Sequence, residues 1–289
     1  MYKRQGNYPN WSNGGDTLSW SLGATLYQAS LSDLFAVPSE GDEDGGYSAP
    51  ESGVSMSMQL QSDVPTSVVA LTGARIITMT EDDGGVIEDG VVVVDGNRIA
   101  AVGAAGDVEI PDGAASVDLS GKTIIPGLID AHAHGSTAVG MIPEQNWMQY
   151  ATLSLGVTTV HDPSHQATNI FAAAEMQRTG QILAPRLFST GDIVYGAKAV
   201  WFADINDQQD ASEHVRRLKA QGAVSVKNYN QPRREQRQQV TVAARNENMF
   251  VVAEGGSLFH MDLSMVADGN STIEHNIPQE TLYDDVLQF

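Results

Sequence analysis

Two imidazoles one residue apart, His132 and His134, close the apolar run Thr123-Ile124-Ile125-Pro126-Gly127-Leu128-Ile129-Asp130-Ala131. Read as a buried strand, the run puts both rings on one face, because side chains alternate with a period of two, and Ala133 points the other way. Two imidazoles on one rigid element supply half of a tetrahedral shell for zinc or a neighbouring metal. Asp130 shares their phase and is placed to orient one ring from behind. His-x-His also occurs in many strands as a pair of hydrogen-bonded structural histidines, so it needs partners from elsewhere in the chain.

Composition narrows where those partners come from. With no cysteine among 289 residues, disulfides and thiolate ligands are excluded, and a metal must be held by His, carboxylate or a modified lysine. The formal charge of -20, from 36 acidic against 16 basic residues, argues against nucleic-acid or anionic-membrane partners, which require a basic footprint. A hydrophobic content of 42% suffices for a real core. No run approaches the roughly 20 apolar residues of a membrane span, and no charged-then-apolar leader opens the chain. Met1-Tyr2-Lys3-Arg4-Gln5 reads as adaptor-derived translation, and both termini are expected to be truncations.

Four segments follow from the patterning. In 1–36, Thr17-Leu18-Ser19-Trp20 and Ala24-Thr25-Leu26-Tyr27 flank Ser21-Leu22-Gly23, which suits a weakly anchored hairpin. Segment 37–66 carries six acids, no Lys or Arg, and Gly45-Gly46 among Ser and Pro; it reads as an acidic linker in which Val54–Leu60 adds an edge strand. In 67–125, β-rich runs at 68–80, 90–94, 98–102 and 115–119, with Asp95-Gly96-Asn97 as a hairpin turn, predict a small all-β module. Arg98 belongs to that module.

From 126 to 289 apolar runs alternate with helical stretches, the rhythm of parallel βα units. Strands are expected at 124–134, 158–162, 186–190, 225–229, 250–254 and 272–275, and helices at 144–155, 170–178, 210–220 and 232–246. The fold class is therefore α/β, an incomplete (β/α)₈ TIM-like barrel in which six units are visible where closure needs eight. In such a barrel reactive side chains gather where strands end. Those ends carry His132 and His134, His161-Asp162, Lys227 with Tyr229 nearby, Glu254 and His275. A lysine pointing into a barrel is costly unless neutralised, and a neutral amine can take up carbon dioxide to form a carbamate, a bridging carboxylate for two metals; the plainer alternative is an ammonium that reaches solvent or a carboxylate. His161 reads either as a substrate or metal-buttressing group or as a structural histidine. His165, His214 and His260 read as loop or surface residues. Asn230 is the expected cap of the 232–246 helix, whose Arg233, Arg234 and Arg237 form a solvated or salt-bridged face more readily than an anion site.

Pro126-Gly127-Leu128-Ile129-Asp130 before His-x-His resembles the first barrel strand of the metal-dependent amidohydrolase superfamily. Thr72–Ile77 and Gly96–Ile99 then resemble its composite β-domain, and 10–36 resembles the last blade of a TolB-like β-propeller. The resemblance implies one or two divalent ions, zinc first, held by His132, His134, Glu254, His275 and a carbamylated Lys227. Glu254 stands where relatives commonly carry histidine. Asp130, His161, Asp162 and Tyr229 are implied as supporting or substrate-contacting groups. The implied activity is hydrolysis of a carbon–nitrogen bond in a non-peptide or cyclic amide of a small molecule, an amide or ester, by a metal-activated water. Alternatives are a metallo-dipeptidase, a deaminase or a non-catalytic propeller–barrel binding protein. The eighth-strand carboxylate that relatives use as proton shuttle would lie beyond Phe289, so no catalytic acid or base is expected within the chain and the piece alone is expected to be inactive. The propeller resemblance implies a periplasmic or extracellular location.

Overall fold

The computed structural model describes residues 6–35, 50–81, 84–135, 142, 145–197, 203–256 and 258–288. Met1–Gln5, the Gly45-Gly46 part of the linker and the first residue expected of the 144–155 helix lie outside the described residues. The amino-terminal part is an antiparallel sheet of β1 (Asn7–Ser12), β2 (Thr17–Leu22), β3 (Thr25–Ser30) and β4 (Val54–Ser55), with the short α1 (Leu31–Leu34) after β3. Trp20 and Tyr27 pair across β2 and β3 and stack with ring centroids 5.9 Å apart, the aromatic cross-strand contact that the alternation anticipates. Among the described residues the linker contributes the two residues of β4 to this sheet, fewer than the strand expected over 54–60.

A second sheet contains β5 (Val68–Ile77), β6 (Val86–Asp95), β7 (Arg98–Ala104) and β8 (Ala115–Asp118) in the order β7-β6-β5-β8, with β9 (Thr123–Ile124) also on β5. Gly96 at φ 60° makes the two-residue turn between β6 and β7, a conformation that costs a residue with a Cβ more than it costs glycine. Ala74, Ile76 and Val92 form its buried core with Leu71, Ile87 and Ile124 packed around them.

The remainder alternates strands and helices: β10 (Leu128–Asp130), α2 (Trp147–Ser154), β11 (Val157–Asp162), α3 (Ala167–Arg178), β12 (Arg186–Ser189), β13 (Val194–Tyr195), α4 (Gln208–Gln221), β14 (Ser225–Tyr229), α5 (Arg234–Asn246), β15 (Phe250–Glu254), α6 (Phe259–Ala267), β16 (Thr272–Glu274) and α7 (Asp284–Gln288). The strands pair in parallel in two ladders, β10-β11-β12 and β13-β14-β15-β16. Helix α4 starts where the Asp207 side chain accepts from Asp210 N–H and stops at Gly222 in the left-handed region. Val215 and Leu218 of α4, Val240 and Ala244 of α5, and Val226 and Val251 of the strands form one buried cluster beneath the helices.

Further expectations are corrected. The first barrel strand is three residues long, because Pro126 separates β9 from β10 and the two belong to different sheets. It is not buried: Leu128 and Ile129 are 50% and 70% exposed, since among the described residues β10 is the edge of its ladder and pairs only with β11. Helix α5 begins after Arg233, whose N–H donates to Gln236 Oε1, while Asn230 sits at φ 50° in the turn that leaves β14. His214 is fully buried on the apolar side of α4, in phase with Ala211, Val215 and Leu218, and His260 lies on α6 and not in a loop.

The arginine-rich helix resolves as a salt-bridged face. Arg234 grips Asp268, just past α6, through Nε at 3.1 and 3.0 Å and Nη2 at 2.7 Å, and Gln238 Nε2 adds a bond of 2.8 Å. Arg237 turns inward and donates to the Gln231 carbonyl at 3.1 Å. Burial pushes the Asp268 carboxyl up, but the hydrogen bonds from Arg234 and Gln238 and the charges of Arg234 and Arg237 outweigh it and hold it below the usual range. A depressed folded pKa contributes stability above the unfolded value of about 3.9 and loses it as pH falls through the folded value. Asp268→Asn should therefore lower the unfolding free energy at neutral pH by about 1–3 kcal/mol in urea titrations, with the gap to wild type closing as pH falls below the ordinary carboxylate value of about 3.9 and through the folded value. A gap of equal size at neutral and at acid pH would show that the carboxylate charge contributes nothing.

Candidate metal centre

The C-terminal ends of β10, β11, β14, β15 and β16 supply the polar cluster. His132 and His134 lie just past β10, with ring centroids 4.8 Å apart and nearly perpendicular planes. The His275 ring approaches His132 to 5.2 Å. His275 follows the last residue of β16 at φ 70°, so a left-handed residue, unfavourable outside glycine and held here by its surroundings, turns the ring away from the strand's alternation. Glu254, ending β15, reaches both neighbours: Oε2 lies 2.7 Å from Lys227 Nζ and Oε1 lies 2.9 Å from His275 Nε2. Lys227 is 2% exposed on β14, and its ammonium also lies 5.6 Å from the centre of the Tyr229 ring.

All five residues expected as ligands, His132, His134, Lys227, Glu254 and His275, thus gather in one region. Of the supporting group, Asp130 is exposed and Oδ1 accepts from His132 N–H at 3.0 Å, so it fixes the backbone before the imidazole and does not touch the ring through that bond. Asp162 is fully buried, accepts from Ser164 N–H at 3.0 Å and lies 3.7 Å from His134 Nδ1, while its Oδ2 has no hydrogen-bond partner. Both His161 nitrogens meet protein atoms, the Ala131 carbonyl at 3.2 Å and Ser225 Oγ at 2.7 Å. Tyr229 stacks on Tyr195 with centroids 5.1 Å apart; burial first, then the Glu254 charge, pushes its phenol above the usual tyrosine range.

Glu274 was not anticipated from the sequence. Its carboxylate meets His132 Nδ1 directly and accepts from Thr272 Oγ1 at 2.7 Å. Burial pushes its pKa up, but the bonds from Thr272 and His132 and the charges of His132 and Lys227 carry it below the usual carboxylate range. Strand alternation sets Glu274 and His275 on opposite faces, and only the left-handed turn at His275 lets both enter the cluster.

The donor set fits a divalent cation. The carboxylates of Asp162, Glu254 and Glu274 outnumber the one ammonium, Lys227, so oxygen and imidazole donors of the kind that ligate a divalent ion predominate. Lys227 Nζ and Asp162 Oδ2 are buried polar atoms without a hydrogen bond of good geometry, although Nζ stands at ion-pair distance from Glu254. Among the described residues, no three His, Asp or Glu side chains already surround a single point. The donors are closed onto one another: two ligands sharing a tetrahedral zinc stand roughly 3.3 Å apart, and the His275–Glu254 contact is shorter than that.

Breaking one side of the Lys227–Glu254 pair strands a desolvated charge. In chelator-treated protein Lys227→Met should cost about 3 kcal/mol in denaturant unfolding, and the double variant Lys227→Met, Glu254→Gln should cost clearly less than the two single losses added. Additive losses would show that the two side chains are not coupled.

No family model matches the chain. Over 67 residues it is 46% identical to the imidazolonepropionase of Roseobacter denitrificans, a stretch covering 22% of this chain and 16% of that protein. Over 171 residues it is 28% identical to the imidazolonepropionase of Klebsiella pneumoniae, covering 57% of this chain and 41% of that protein. The chain therefore spans less than half the length of these curated relatives. Among solved structures, a Xaa-Pro dipeptidase with methionine bound in its active site shares the fold with a TM-score of 0.60 at 21% identity, over 77% of this chain and 64% of that one. The chain thus shares an α/β barrel-like fold with that dipeptidase, is similar over part of its length to the two imidazolonepropionases, and gathers imidazoles and carboxylates at its strand ends.

Proposed function

We propose that this chain carries the metal centre of a hydrolase that cleaves carbon–nitrogen bonds in small non-peptide or cyclic amides. The observation that carries the reading is the run of contacts from His134 through His132 to His275, and from His275 to the Glu254–Lys227 pair, at the C-terminal ends of parallel strands. The two relatives described above are named for an enzyme of cyclic-amide hydrolysis, which favours the same bond type. His132, His134, Glu254 and His275 are the ligands, zinc being the first candidate because imidazole and carboxylate suit it. One or two such ions, when bound, polarise a carbonyl and lower the pKa of a coordinated water.

The chain's own residues prepare that chemistry. Lys227 neutralises Glu254, and its buried amine is the group that carbon dioxide would convert to a bridging carbamate. Asp130 holds the His132 amide, and Asp162 backs His134. Tyr229, its phenol held protonated by burial and by Glu254, remains a hydrogen-bond donor to a substrate carbonyl at neutral pH. The antiparallel meander β1 to β3 is read as a remnant of a TolB-like blade, a resemblance that suggests a periplasmic or extracellular location.

Metal analysis of the purified chain tests the reading. Wild type should retain one or two divalent ions, and His132→Ala and His134→Ala should each weaken binding by more than about 10-fold, the loss that removal of a mere supporting partner causes. Metal retained equally by both variants would overturn it. With ¹³C-bicarbonate, the metal-loaded protein should show a carbamate resonance that Lys227→Gln abolishes; without that resonance, Lys227 acts only as counter-ion to Glu254.

A further inference from the structure

His161 links parts of the centre that lie on different strands. The Ala131 carbonyl can only accept, so the 3.2 Å contact puts the imidazole proton on Nδ1, and Nε2 then accepts from the Ser225 hydroxyl at 2.7 Å. The same residue's backbone carbonyl accepts from Ala133 N–H at 2.9 Å. Together with the His132 N–H bond to Asp130, the peptide groups on both sides of His132 are tied, two of the three bonds being made by His161. At its other end, Ser225 stands two residues before Lys227 on β14, on the same face of the strand. Burial holds this imidazole below the usual histidine range and outweighs the bond to Ala131 and the nearby Glu274 and Asp162, so the neutral form persists. Both nitrogens are committed, which leaves none to ligate a metal or shuttle a proton.

We propose that His161 is a positioning residue: as the neutral Nδ1–H tautomer it sets the distance between the first-strand imidazoles and the fourth-strand lysine by bridging Ala131 and Ser225. The proposal rests on reading the cluster as a metal centre, where a displacement of about half an ångström in a ligand is felt in binding.

Two readouts on the 289-residue chain test it. Long-range ¹H–¹⁵N spectra of the imidazoles, which need no metal, should show His161 as the Nδ1–H tautomer; the Nε2–H tautomer overturns the proposal. Cobalt(II) titrations followed by visible absorption should show His161→Leu binding about 10–100-fold more weakly with an altered spectrum, and Ser225→Ala shifting the spectrum in the same direction. His161→Asn, whose amide nitrogen can still donate to the Ala131 carbonyl but which has no atom in the place of Nε2, should behave as Ser225→Ala does; wild-type affinity and spectrum in His161→Asn would show that the Ser225 end of the bridge sets nothing. Circular dichroism melts confirm that each variant is folded, with Ser225→Ala the milder probe should His161→Leu not fold. Wild-type affinity in both the Leu and Ala variants overturns the positioning role and leaves the metal reading intact, whereas a wild-type chain that binds no cobalt overturns both.

Discussion

In-register parallel pairing is the constraint on which the rest of this structure depends. Lys227 stands opposite Val252, and Glu254 opposite Glu274, so the carboxylate at the end of β15 lies between an ammonium on one neighbouring strand and the start of a turn carrying an imidazole on the other. Because every strand in a parallel ladder ends at the same edge, side chains far apart in sequence meet there without any long-range recruitment by loops. A slip of one residue in β15 would send Glu254 to the opposite face and leave Lys227 buried without its counter-charge. The register is pinned from below by the apolar packing of Val226 and Val251 against α4 and α5.

The same geometry sets the electrostatics. Taking Lys227 out of water is tolerable because Glu254 stands 2.7 Å away, and Glu254 in turn is shared with His275. Glu274 is drawn below the usual carboxylate range despite its burial, with the His132 contact contributing. The cluster is rich in carboxylates and imidazoles, with Lys227 as the ammonium facing them. The short contacts among its donors are the arrangement such groups reach among themselves. Arg234 and Asp268 join the start of α5 to the end of α6.

Much of the plan was legible in the chain. The strands at 225–229 and 250–254 have their expected bounds, and those near 158, 186 and 272 differ by a residue at one end, because alternation and short apolar runs are local signals. The ligand-type residues ending those strands were legible for the same reason. The first strand was misjudged: a run rich in Ile and Leu looks buried, yet burial depends on which strands flank it, and among the described residues β10 has a paired neighbour on one side only. His214 was misjudged conversely, since a polar type on a polar helix hides its phase with Val215 and Leu218.

Residue types and their periodicity by themselves determined the α/β class, the small β module and the set of imidazoles, carboxylates and lysine carried at strand ends, because these follow from backbone geometry over a few residues. Tertiary structure alone decided who meets whom. The contact of His132 with Glu274 joins positions 142 residues apart, the bridge from His161 to Ser225 joins positions 64 apart, and the left-handed turn at His275 is maintained by its surroundings against its own preference. Such distances between elements are set by how helices and strands pack over a common core, and no local pattern encodes them.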